Sequence, residues 1–92
     1  MYSRLRELRD ITQIANTPMP GIPLVEVLGD KRALIENHCG VIAYESNLIC
    51  IRVHCGQIEI HGSGLTLMRM TDSQMVINGK INSVQFCYTA RG

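Results

Sequence analysis

Apolar side chains recur with a helical period at the start of the chain. They stand at spacings of three or four residues, with charged residues between them, at Leu5, Leu8, Ile11 and Ile14 or Ala15. This spacing places them on one face of a helix and the charges on the other. The pattern predicts a short amphipathic helix over residues 1–16.

A proline-rich joint follows this segment. Residues 17–23 contain Pro18, Pro20 and Pro23. Because proline fixes φ and has no backbone N–H to donate, neither a helix nor a strand persists through such a segment. We therefore expect the joint to separate the helix from a single β domain over residues 24–90.

The apolar period changes to two after the joint. Residues 47–54 show this most clearly, since Ile49, Ile51 and Val53 alternate with residues of the opposite face. Similar short runs recur to the C-terminus and are separated by Gly29-Asp30-Lys31, Gly62-Ser63-Gly64 and Thr71-Asp72-Ser73. This pattern predicts an all-β domain of about seven to eight short strands.

Short connections favour an antiparallel meander over other strand arrangements. Each strand has one apolar face to bury, so we expect the sheet to form a small sandwich or a half-open barrel. A repeated Gly-x-Ile-x-Ile-x-Gly unit leaves a β-solenoid as the alternative. The expected core residues share one strand phase: Ile49, Ile51, Ile58, Ile60, Ile77 and Val84.

Composition narrows the functional classes. The chain has 92 residues and a formal net charge of +1, which gives no strong electrostatic reason to bind nucleic acid. No apolar run approaches the ~18–20 residues that span a bilayer, and the N-terminus lacks the apolar core of a signal peptide. We therefore expect a cytoplasmic protein.

Histidine and cysteine residues offer two kinds of chemistry. A zinc site would draw on Cys39, Cys50, Cys55, His38 and His54, although neighbours on a strand point to opposite faces. A cysteine nucleophile would need an activating imidazole nearby, and a domain of this size has little room for a substrate pocket beside its core. We expect reduced thiols, no catalytic residue, no cofactor and no small-molecule substrate.

The polar row Glu36, Asn37 and His38, followed by Gly40, interrupts two apolar runs. Asn and Gly tolerate the left-handed backbone of tight turns, so one interpretation is a hydrogen-bonded turn. The other is an exposed patch that docks a protein partner. The residues alone leave both open.

Much of the chain resembles the YabP/YqfC family of bacterial sporulation proteins, most closely its YqfC branch. The polar block with Gly40 is the most specific part of the resemblance, and Cys39 stands where a basic residue is expected. The remaining residues that carry it are glycines and apolar residues in unbroken order: Gly29, Leu34, Ile35, Ile49, Ile51, Gly56, Ile58, Ile60, Gly62, Leu65, Met70, Ile77, Gly79, Ile81, Val84 and Phe86.

This resemblance implies a non-enzymatic structural or assembly protein of endospore formation, in the cytoplasm of the mother cell. Its implied partner is a multi-pass membrane sporulation protein, which would bring it to the membrane, and self-association is a further expectation. The alternative function is a zinc- or thiol-dependent regulatory module.

Overall fold

The computed structural model describes residues 22–88, which form a single antiparallel sheet in the order β1-β2-β6-β5-β4-β3. Its strands are β1 (Leu24–Leu28), β2 (Arg32–Glu36), β3 (Val41–Glu45), β4 (Leu48–Val53), β5 (Gly56–Met70) and β6 (Gln74–Tyr88). The all-β, antiparallel prediction is confirmed. The solenoid alternative is wrong for these residues, because solenoid rungs stack in parallel.

The described residues contain six strands, against the seven or eight expected. The difference arises at Gly62-Ser63-Gly64, where β5 continues through the predicted turn. Pairing between β5 and β6 shifts register there instead of ending. The predicted helix, and most of the joint before residue 22, lie outside the described residues.

The long β5–β6 ladder folds back on itself. The Asn37 N–H donates to the Ser73 carbonyl oxygen over 2.7 Å in the β5–β6 turn, whereas the Cys39 N–H donates to the Arg52 carbonyl oxygen over 2.7 Å. Arg52 pairs with Gln57 near the other end of β5. A straight strand of fifteen residues would separate these ends by about 50 Å, but two residues of chain reach only about 7 Å.

The fold therefore has two layers made from one sheet. One layer contains β3, β4, the first half of β5 and the second half of β6, and the other contains β1, β2 and the remaining halves. Between them lies a single apolar cluster: Ala33, Ile35, Ile49, Ile51, Val53, Ile58, Ile60, Leu65, Met75, Ile77 and Ile81. Five of the six predicted core residues are fully buried, and Val84 is half-buried against the cluster.

The β1–β2 hairpin turn attaches to the bend of the ladder. The β1–β2 turn accepts hydrogen bonds from the backbone N–H groups of Gly79 and Ile81 at its Lys31 and Asp30 carbonyl oxygens, over 3.1 and 2.7 Å. The Lys80 ammonium also lies 2.5 Å from the Asp30 carboxylate and lowers the pKa of that carboxyl. The bend forms one end of the molecule, and the connection from β2 to β3 crosses the other.

None of the residues 22–88 belongs to a helix long and apolar enough to cross a membrane.

Candidate functional site

The connection from β2 to β3, residues 37–40, carries most of the polar row found in the sequence. We call it the 37–40 loop. It crosses the end of the molecule where the β5–β6 turn meets the end of β4. Its position follows from the folded ladder, because the two strands it joins belong to different layers.

Asn37 starts the loop in a left-handed conformation, with φ of 66°. Asparagine adopts this conformation more readily than most residues. Its side-chain Nδ2 donates to the Ile22 carbonyl oxygen over 2.9 Å, and the residue is exposed. Asn37 thus closes the turn and also presents its amide to solvent.

His38 is 8% exposed and lies under the loop. Its Nδ1 accepts the Gly40 N–H over 3.0 Å, so the ring hydrogen sits on Nε2 and is donated to the Thr71 carbonyl oxygen over 2.9 Å. Both ring nitrogens are therefore occupied inside the protein. His38 therefore holds the loop to the β5–β6 turn.

Glu36 and Gly40 flank the central residues of the row. The half-buried Glu36 carboxylate accepts Gln74 Nε2 over 2.7 Å, across the β2–β6 pair. Gly40 has φ of 119°, and its carbonyl oxygen accepts the Arg52 N–H over 2.8 Å. The structure thus brings all four predicted residues together at one end of the molecule.

The 37–40 loop is held by six hydrogen bonds to its own residues and to Ile22, Arg52, Thr71 and Ser73. The segment is therefore hydrogen-bonded, as the turn interpretation expects. Its docking role stays a prediction, and the groups that remain outward for it are the side chains of Asn37 and Cys39, both exposed.

The residues considered for a zinc site differ in burial and lie on different elements. Cys39 is exposed, Cys50 is buried in β4, and His54 and Cys55 form the β4–β5 turn. All four thiols are free, and burial raises the pKa of the Cys50 thiol. Within residues 22–88 no three His, Cys, Asp or Glu side chains are placed to hold one metal ion.

A row of hydrogen-bonded polar side chains on the outer face of β5 is not among the site residues predicted from the sequence. Glu59 accepts Gln57 Nε2 over 2.9 Å and bonds to His61 Nε2 over 3.0 Å. These bonds, the one to His61 first, lower the pKa of the Glu59 carboxyl. The signal was present in the period-two alternation, which places residues 57, 59 and 61 on one face.

Comparison with known proteins gives one family. A family model described as the YabP family matches residues 23–91. Searches of curated proteins and of solved structures returned no match. The match suggests a role related to sporulation, in a family that is not known as enzymatic.

Proposed function

The chain belongs to the YabP family, and we propose on that premise that it is a non-enzymatic assembly protein of bacterial endospore formation. The family match over residues 23–91 is the observation that carries the proposal. Under this proposal the protein works by presenting a rigid surface to another protein.

The 37–40 loop is the surface that we propose for docking. Its hydrogen bonds fix the backbone before any partner arrives, so binding does not have to order the segment. The exposed Asn37 amide, with one Nδ2–H bonded to Ile22, offers its second N–H and its Oδ1 to a partner's backbone. His38 acts here as a positioning residue, because its ring is buried beneath the loop.

The partner that we propose is a multi-pass membrane sporulation protein in the mother cell, as the resemblance to the family implies. The protein would then work in the cytoplasm and reach the membrane through this contact. With a net charge of +1, recognition would rest on shape and hydrogen bonding rather than on bulk charge.

Capture of membrane proteins from sporulating cells tests the proposal. The full chain serves as bait beside two variants, Asn37→Gly and Lys31→Ala. Glycine accepts the φ of residue 37 and removes only the amide, with an expected loss of about 1 kcal/mol from the bond to Ile22. Lys31 is exposed in the β1–β2 turn at the opposite end, which makes it the matched control.

We expect the wild-type chain and Lys31→Ala to capture the same membrane protein, and Asn37→Gly to capture at least tenfold less while staying folded by circular dichroism. Equal capture by all three would remove the loop from the docking surface. Absence of any sporulation protein from the captured material would contradict the assembly role.

A further inference from the structure

The second half of β6 is a free sheet edge. Strand β2 pairs with β6 only from Gln74 to Asn78, and the last backbone bond on that side runs from the Ile81 N–H to the Asp30 carbonyl oxygen. Among residues 22–88, no strand pairs with the outer side of residues 82–88. These seven residues extend about 23 Å.

This edge differs from the other open edges in charge. None of the residues 82–88 is charged, whereas β1 contains Glu26, β3 contains Glu45 and the second half of β5 contains Arg69. Native proteins commonly protect free edges with charges, prolines or bulges, because an unprotected edge pairs with another strand. The edge at residues 82–88 lacks a charge that would oppose pairing.

The apolar core also extends to this edge. Val84 and Phe86 lie opposite the buried Ile60 and Ile58 and so share their face. Yet Phe86 is 55% exposed and Tyr88 is 46% exposed. Their rings meet edge to face with centroids 5.9 Å apart, so the uncovered face is aromatic.

We infer that this edge pairs with the same edge of a second copy of the chain, antiparallel and about a two-fold axis. A two-fold pair places residues 82–88 of one copy opposite those of the other, and like charges directly opposite each other would destabilise the pair. Residues 82–88 contain no charged side chain. In any pairing register that keeps the apolar faces of the two copies on the same side, Val84, Phe86 and Tyr88 of one copy lie against the same three residues of the other.

A second copy suits the edge better than the N-terminal helix that the sequence predicts. A helix satisfies its backbone groups internally and therefore offers no ladder to the open N–H and C=O groups of β6. The inference deepens the assembly role proposed above by naming the surface through which the protein would self-associate.

Sedimentation equilibrium of the purified full chain tests the inference. We expect a mass near twice the chain's 10.3 kDa. Phe86→Lys places two like charges at the pairing face and should reduce the mass to that of one chain. Ile42→Lys adds the same charge at an exposed position on the β3 edge and should leave the dimer intact.

Circular dichroism checks that each variant is folded, and Gln85→Lys, at an exposed position of the same strand, replaces Phe86→Lys if that variant unfolds.

Cross-linking gives a second test. A chain with both Cys39→Ser and Cys55→Ser retains two thiols, the exposed Cys87 and the buried Cys50. A short bis-maleimide should then join Cys87 to Cys87 between copies.

A wild-type chain that is monomeric at every soluble concentration overturns the inference, as does a dimer that Phe86→Lys leaves unchanged. Neither result touches partner capture, which depends on the 37–40 loop. Failure of self-association and failure of the proposed function are therefore distinguishable.

Discussion

His38 illustrates at the scale of one residue how a polar side chain serves the fold. Its ring joins the 37–40 loop to Thr71 in the β5–β6 turn, 33 residues along the chain. Removing the ring would leave the Gly40 N–H and the Thr71 carbonyl oxygen without their partners. Buried polar groups left unpaired destabilise a protein more than the same groups exposed to water.

We predict that His38→Ala lowers the free energy of unfolding by about 2–3 kcal/mol. His54→Ala is the matched control, because His54 is exposed in the β4–β5 turn, and should change stability by less than about 0.5 kcal/mol. Urea unfolding measures both. Nitrogen NMR of the His38 ring should show the hydrogen on Nε2. Equal losses of stability in the two variants would contradict the role of His38 in holding the 37–40 loop.

A hydrogen-bonded connection at the polar row was predictable from the sequence, because Asn and Gly tolerate the left-handed backbone conformation. The burial of His38 was not, since it depends on a carbonyl group in a distant turn. The same holds for Glu36, whose partner Gln74 lies 38 residues away. Local pattern located the site, and long-range contacts decided which of its side chains face solvent.

Gly79 shows at the scale of elements why the ladder can bend. Its φ is +138°, and a Cβ at this position would lie 2.7 Å from the Gly64 carbonyl oxygen and 2.9 Å from the Leu65 Cα. The sequence predicts Gly40, Gly56 and Gly79 at turns, at bulges or where backbones approach closely, with positive φ in at least one, and this is confirmed. A side chain at Gly79 would force the two strands apart at the bend.

We predict that Gly79→Ala destabilises the fold by at least about 2 kcal/mol, because strain and backbone overlap add. Gly64→Asn is the control. Gly64 has φ of +61° with nothing within 4 Å of an added Cβ, and asparagine tolerates that conformation, so the loss should stay below about 1 kcal/mol. Similar melting temperatures for the two variants would show that the bend tolerates a side chain.

The strand count failed for a related reason. A Gly-Ser-Gly run fits either a hairpin turn or a bend within a continuing strand. The choice depends on whether β6 continues alongside, as it does from Tyr88 back to Gln74. Thr71-Asp72-Ser73, which has no such companion, is the true turn between these strands.

The whole molecule depends on one apolar cluster shared by both layers. The alternating isoleucines of β4 and β5 were predictable as core, because a period of two marks one face of a strand. The folding of the ladder was not, because it shows only in long-range contacts, such as those that join the 37–40 loop to the β5–β6 turn and to the end of β4. Stability should therefore be a property of both layers together.

We predict that Ile51→Ala lowers the free energy of unfolding by about 2–4 kcal/mol. Ile51 is fully buried in the shared cluster, so truncation removes apolar contact and leaves a cavity. Ile42→Ala deletes the same atoms at a position that is 44% exposed and should cost less than about 1 kcal/mol. Urea unfolding should give one transition with an unchanged slope for both variants, because the layers unfold as one unit. If Ile51→Ala costs no more than Ile42→Ala, or if its unfolding separates into two transitions, the two layers do not share the core described above.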